Sequence, residues 1–260
     1  MYTKLLAILD IKSDEAAKVF ILIFQSVFIG IFYGAFEIGA SAIFLDAFSS
    51  DMIPQALLIS GIAGILFTSV YSRFHSKIKF SNLALINLLF ITVITALMRF
   101  GFFLSELKWI AFIVFVVMGP LYIISLLGFW GTVSRMFDLR QGKRLFGLID
   151  TGQVIGIIIS GFTIPVLITF NFETVNTLYI CILSILIALL IQFIITRKFK
   201  ADIGTFEEQK EKQTFNEKLG VLFKNRYIFM MVMFVAISMV AAFFIYNSFL
   251  SVSQAKYTDS

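Results

Sequence analysis

Seven long apolar stretches, separated by short polar connections, constrain the fold of this chain more than any other feature. They are Val19–Phe48, Gln55–Arg73, Phe80–Leu104, Trp109–Thr132, Leu145–Phe170, Val175–Thr196 and Tyr227–Val252. An α-helix needs about 20 apolar residues to cross the hydrocarbon core of a bilayer. The chain is 59% hydrophobic and 14% charged, whereas soluble domains are about 45–50% apolar and about 25% charged. The sequence therefore predicts an all-α, polytopic membrane helix bundle.

The basic residues fall in alternate connections. All 21 Lys and Arg residues except Arg99, Lys108 and Lys256 lie in the N-terminal segment or near the connections after the second, fourth and sixth stretches. Cytoplasmic loops of membrane proteins carry such an excess of Lys and Arg. We therefore predict an integral membrane protein with a cytoplasmic N-terminus.

Four regions follow from this pattern. Residues 1–18 form an amphipathic segment on the inner membrane surface, 19–196 a six-span bundle, 197–226 a charged cytoplasmic linker and 227–260 a seventh span. Six spans, a linker and a further span are the layout of carriers built from two six-helix bundles. We expect the seventh span to begin a truncated second bundle, so that a C-terminal helix bundle is missing.

Several classes of chemistry lack their residues in this sequence. Cys181 and His75 are the single cysteine and histidine, so no Cys/His metal spacing and no internal disulfide exist. Catalytic and phosphate-binding motifs are also absent. We expect no enzyme activity, no cofactor and no metal. The net charge of +5 is explained by topology, and we expect no nucleic-acid partner.

The densest group of charges joins the fourth and fifth stretches. Its members are Arg135, Asp138, Arg140, Lys143 and Arg144, followed by Asp150 as the sixth residue of the fifth stretch. Ion pairs with Asp138 would set the turn, and long basic side chains at a span end fix its depth. Asp150 could pair with Arg144 or Arg135. We interpret these residues as a cytoplasmic gate or as groups that position the helices.

The same region carries a resemblance to a known family. The matching residues are Phe129-Trp130-Gly131, Asp138, Gly142-Lys143-Arg144-Leu145-Phe146-Gly147, Gly152 and Gly156, with a weaker match over Gly39–Leu45. They resemble the ATP/ADP translocase (nucleotide transporter) family and its bacterial relatives, which are related to the major facilitator superfamily. The resemblance implies a facilitator-like N-terminal six-helix half, alternating-access transport or antiport, and a bacterial inner membrane.

The cargo stays open within this resemblance. Nucleotide-carrying members have a charged pair in the first span, where this chain has Gln25-Ser26-Val27-Phe28. A small-molecule substrate is expected, either ATP/ADP or another small anion. The alternative function is a non-transporting scaffold or sensor that anchors a downstream regulatory domain.

Three polar residues inside spans are candidates for substrate binding or coupling. Glu37 is a carboxylate within the first stretch, and ionisable residues in hydrocarbon are functional candidates. An ion pair with Arg99, at a similar depth, is the structural alternative. Gln25 and Gln153 are the uncharged candidates. The resemblance favours Gln25, because the first helix of such bundles lines the pathway.

Overall fold

Seven helices of membrane-spanning length form within the described part of the chain. The structure, a computed structural model, describes residues 9–75, 78–104, 108–199 and 225–257. The helices are α1 (Ala16–Ala47), α2 (Ile53–His75), α3 (Phe80–Leu104), α4 (Lys108–Met136), α5 (Leu139–Thr169), α6 (Thr177–Lys198) and α7 (Arg226–Tyr257). In hydrocarbon the backbone must satisfy its own hydrogen bonds, which a helix does within one segment. The prediction of an all-α integral membrane protein with seven spans is confirmed.

The chain divides into two compact units. The first contains α1, α2 from Gln55 onwards and α3–α6. The second contains α7 and the segment Ser49–Pro54, which includes the 3-10 turn Ser50–Met52. The Ser50 N–H donates a hydrogen bond to Gln254 Oε1 at 2.5 Å within this second unit.

Helix α1 lies at the centre of the first unit. It packs against α4, α5 and α6, while α3 packs against α4 and α6. Phe32, Phe36 and Phe44 of α1 are fully buried. The Phe44 ring stacks on Phe115 of α4 with 4.4 Å between centroids. A helix with three neighbours buries most of its circumference, which explains why α1 is apolar almost all round.

Contacts between helix ends show that the six helices alternate in direction. Arg144 binds Glu15, which joins the start of α5 to the start of α1. Arg135 contacts Phe80 and His75, which joins the end of α4 to the start of α3 and the end of α2. We call this side of the first unit the basic end. At the opposite end, α3 finishes beside the start of α6.

The charges of the first unit separate between these two ends. Among the described residues of α1–α6 and their connections, the basic end carries Lys12, Lys18, Arg73, Lys79, Arg135, Arg140, Lys143, Arg144, Arg197 and Lys198. Arg99 and Lys108 lie at the opposite end. This separation agrees with the alternation read from the sequence. The assignment of the basic end to the cytoplasm stays a prediction.

The connection between the fourth and fifth spans is shorter than expected. Helix α4 runs to Met136 and α5 begins at Leu139, so only Phe137 and Asp138 lie between them. Asp138 caps α5 through a capping box with Gln141, whose Oε1 accepts from the Asp138 N–H at 2.9 Å. The predicted start at Leu145 was therefore six residues late.

Parts of the predicted domain division lie outside the described residues. These are residues 1–8 of the amphipathic segment and residues 200–224 of the linker. Helix α6 extends to Lys198 and α7 begins at Arg226. The division into an N-terminal segment, bundle, linker and second bundle stays a prediction.

Candidate functional site

The packing of α1 against α5 depends on small residues in both helices. A Cβ atom added to Gly30 would overlap the Gln153 carbonyl oxygen, and one added to Gly34 would overlap Ser160 Oγ. On the α5 side, Gly156 lies directly against the α1 backbone. Small residues four apart allow such close approach of two helices. This seam positions the polar residues of α1 relative to α5.

Glu37 is the carboxylate closest to the middle of α1. It lies ten residues before Ala47, about 15 Å from that helix end, in a helix of about 48 Å at ~1.5 Å per residue. It is therefore about 8 Å from the helix midpoint, so a hydrocarbon core of about 30 Å centred on that midpoint would contain it. Tyr33, Gly34 and Ser41 share its helix face at spacings of three and four residues.

The Glu37 carboxylate has no partner among the described residues. It is partly exposed, and neither a hydrogen bond nor an ion pair joins its side chain to the described part of the molecule. The expected alternative, an ion pair with Arg99, does not form there. Arg99 Nη2 instead donates to Asn176 Oδ1 at 2.9 Å, and the guanidinium lies 4.5 Å from the Tyr179 ring centroid.

Gln25 lies in a buried amide network rather than on an open surface. Its Nε2 donates to Gln192 Oε1 at 2.9 Å and to the Ala188 carbonyl oxygen at 3.3 Å. Gln192 Nε2 in turn donates to Thr132 Oγ1 at 3.3 Å. The network joins α1, α6 and α4. The role of Gln25 in substrate binding stays a prediction, and its observed contacts are between helices.

Gln192 is a polar residue within a span for which the sequence predicts hydrogen bonds to neighbouring helices, whereas Thr132 was not among the sequence-based candidates. Both lie on the last turns before a helix end at the basic side, about 9 Å and about 6 Å from those ends at ~1.5 Å per residue. Gln25 lies about 13 Å from the start of α1 on the same scale. Similar depth from the basic end was the sequence signal that could have linked them.

Gln153, the third predicted candidate, lies within the α1–α5 seam. Its side chain is buried, and its Nε2 has no hydrogen-bond partner among the described residues. A buried donor without an acceptor costs about 1–3 kcal/mol. Gln153 therefore remains a candidate for a bound ligand or water.

Glu15 anchors the basic end and was not predicted from the sequence. Its carboxylate is 3% exposed and accepts from Arg144 Nη2 at 2.5 Å and from Gln141 Nε2 at 2.7 Å. Burial raises the pKa of the Glu15 carboxyl, but the hydrogen bonds from Gln141 and Arg144 outweigh burial and leave the pKa below its usual value. Arg144 also contacts Asp10. The predicted positioning role of Arg144 thus has a physical basis in the start of α1.

The other charged residues near the α4–α5 connection divide into two groups. Arg135 joins three helices, because its guanidinium lies 3.7 Å from the Phe80 ring centroid and its Nη2 lies 3.4 Å from His75 Nε2. Arg140 and Lys143 are exposed on the first turns of α5. Asp138 acts as the cap described above.

Asp150 is exposed on α5, about 16 Å from the helix start at ~1.5 Å per residue. The expected pairing of Asp150 with Arg144 or Arg135 does not form, and its carboxylate has no partner in the described ranges. Asp150 is exposed and lies six residues after Arg144 on the basic half of α5, whereas Glu37 is partly buried.

A cavity of mixed charge opens at the end opposite the basic end. It has a volume of about 860 Å³ and contains Asp46, Arg99, Lys108 and Glu173 in its lining. No ion pair within 4.0 Å links these four residues in the described structure. No group of three or more His, Cys, Asp or Glu residues suitable for a metal ion occurs within the described ranges.

Comparison of the chain with family models, with curated proteins and with solved structures finds no match. The identification that the structure itself supports is that of a polytopic, helical integral membrane protein.

Proposed function

We propose that this chain is a membrane secondary transporter that works by alternating access. The observation that carries the proposal is Glu37, a carboxylate inside the most central helix of the bundle with no partner in the described chain. Placing a charge at the centre of a membrane helix costs about 2.5–3.5 kcal/mol on insertion scales. Such residues mark substrate, ion or proton pathways in membrane proteins.

The substrate that we propose is a small anion, with ATP and ADP as the first candidates. The resemblance to the ATP/ADP translocase family supports a nucleotide. The mixed-charge cavity supports a charged cargo, because Arg99 and Lys108 line it together with Asp46 and Glu173. Asp150 offers a second unpaired carboxylate that an ion or a proton could neutralise.

The remaining parts of the proposal follow from the resemblance and the charge distribution. The six helices α1–α6 would form one facilitator-like half, the pathway would lie between this half and a second bundle, and the basic end would face the cytoplasm of a bacterium. Glu15 and Arg144 would hold α1 and α5 together at the cytoplasmic mouth. Enzyme activity is not part of the proposal.

Uptake into liposomes tests the proposal. The full-length protein, reconstituted with its second bundle, should exchange labelled ATP, ADP or a simpler anion, and Glu37→Gln should abolish coupled uptake while membrane insertion is retained. Asp14→Asn is the matched control, because Asp14 is an exposed carboxylate outside the spans. Uptake by Glu37→Gln at the control rate would exclude Glu37 from coupling. Failure of every anion to cross would refute transport and favour the scaffold alternative.

A further inference from the structure

A groove between α2 and α3 is lined almost entirely by apolar side chains. It has a volume of about 450 Å³, and α2, α3, Ile78 and Ile124 of α4 form its walls. Tyr71 and Asn87 supply its polar groups. A cavity of this size is large enough for a small ligand. The lining favours a ligand that is mostly hydrocarbon.

The groove opens toward the bilayer. Leu66, Val70 and Phe74 on its α2 side are 62%, 49% and 51% exposed. On its α3 side, Ile86 is 46% exposed. Exposed apolar side chains on two membrane-spanning helices face lipid, so an occupant of the groove enters from the bilayer. Acyl chains are the hydrocarbon present at that surface.

The two polar side chains of the groove lie beside each other. Asn87 is 6% exposed, its Nδ2 is enclosed by protein atoms, and its side chain interacts with the Tyr71 hydroxyl. The surface that the groove offers to an occupant is therefore hydrocarbon.

Basic residues lie at the basic-end margin of the groove. Arg73 and Lys79 are exposed and directly adjoin Phe74 and Ile78, which line the groove. A lipid with its phosphate near Lys79 would therefore direct its acyl chain along α3 into the groove.

We propose that the groove binds one acyl chain of an anionic phospholipid from the leaflet at the basic end. Arg73 and Lys79 hold the phosphate, and the acyl chain packs against the apolar lining of Leu66, Val70 and Phe74. Basic sites between membrane helices on the cytoplasmic side bind anionic lipid headgroups in this manner. The proposal does not depend on transport, since it rests on the groove and its charges alone.

Lipid retention tests the proposal directly. The protein is purified from mixed micelles with phosphatidylglycerol or phosphatidylcholine, and bound lipid is counted by native mass spectrometry. We expect the wild type to retain phosphatidylglycerol about tenfold better than phosphatidylcholine, equivalent to about 1.4 kcal/mol. Inorganic phosphate should not displace the lipid, because phosphate lacks the acyl chain that makes the apolar contacts. Equal retention of the two lipids, or displacement by phosphate, would refute the proposal.

Two variants locate the site. Val70→Trp fills the groove and should abolish retention, whereas Leu183→Trp adds the same bulk to α6 at a residue that is 61% exposed and should not. Lys79→Gln should remove the preference for phosphatidylglycerol without filling the groove. A Lys79→Gln variant that keeps the full preference, or a Leu183→Trp variant that loses lipid as Val70→Trp does, would contradict the assignment.

Discussion

The ion pair between Glu15 and Arg144 should be the largest single polar contribution to the stability of the basic end. Glu15 is 3% exposed, and the Arg144 side chain is 21% exposed. Removing one partner of a buried ion pair costs about 3–5 kcal/mol. Because Arg144 is partly exposed and a glutamine keeps one hydrogen-bonding oxygen, the loss should fall just below that range. We expect Glu15→Gln to reduce the free energy of unfolding by about 2–3 kcal/mol.

The sole cysteine of the chain provides the assay. Cys181 is fully buried in α6, so a thiol-reactive fluorescent dye reacts with it only when the bundle opens. The midpoint of dye labelling during heating in detergent should fall by about 5 °C or more in Glu15→Gln. No second cysteine confuses the signal, because the sequence contains one.

The control for this prediction is Lys143→Gln. Lys143 is exposed and adjoins Arg144 in sequence, so its substitution changes the net charge by one unit, in the opposite direction to Glu15→Gln, without touching the ion pair. We expect a shift close to zero for Lys143→Gln and a coupling of about 1.5 kcal/mol in a cycle of Glu15→Gln with Arg144→Gln. Equal midpoints for Glu15→Gln and Lys143→Gln would show that the pair contributes nothing, and the reasoning would be wrong.

Three further predictions concern pH and packing. Because the pKa of Glu15 is lowered from 4.5, its contribution to stability is full above about pH 4.5 and is lost as the pH falls through the lowered pKa; dye labelling at decreasing pH should show this loss in the wild type and not in Glu15→Gln. Gly156→Ala should destabilise the bundle by about 1–3 kcal/mol through overpacking against α1, whereas Gly161→Ala, with no neighbouring heavy atom within 4 Å of an added Cβ, should be neutral in the same assay. Gln192→Leu should leave the Gln25 amide without its side-chain partner. In a cycle of Gln25→Leu with Gln192→Leu, the free energy of unfolding lost by the double variant, obtained from thermal midpoints, should be smaller than the sum of the two single losses by about 0.6 kcal/mol. Additive losses would contradict the hydrogen bond.

Hydropathy predicted the number of spans because each membrane helix forms its backbone hydrogen bonds within its own segment. That requirement acts within one segment, so no knowledge of neighbouring helices is needed. The partner of each helix is a different question. Gly152 and Gly156 lie four residues apart on α5, and Gly30 and Gly34 lie four residues apart on α1. Only the fold brings these two stripes together.

The start of α5 shows why boundaries were less predictable. Hydropathy assigns Arg140, Lys143 and Arg144 to a loop, because charged residues are expected outside the hydrocarbon. The helix nevertheless begins at Leu139, since the capping box of Asp138 satisfies its first N–H groups. Local hydrogen bonding therefore decided a boundary that polarity alone misplaced.

Two glutamates on α1 show how much of the candidate site depends on tertiary contacts. Glu15 and Glu37 are about 33 Å apart along the helix at ~1.5 Å per residue. Because both are glutamates, residue type alone gives no reason to assign them different roles. The fold places donors from α5 around Glu15 and none from the described chain around Glu37. A satisfied carboxylate contributes to stability, whereas an unsatisfied one in hydrocarbon opposes it.

This difference makes the roles of the two glutamates separable by experiment. Neutralising Glu37 removes no observed contact and lowers the cost of placing α1 in the bilayer, so Glu37→Gln should leave the labelling midpoint of Cys181 unchanged or raise it. Neutralising Glu15 should lower the same midpoint. If transport is lost in Glu37→Gln while the midpoint is retained, the loss cannot be attributed to unfolding. If the midpoint falls in Glu37→Gln, the carboxylate has a structural partner, and the argument for coupling through Glu37 loses its basis.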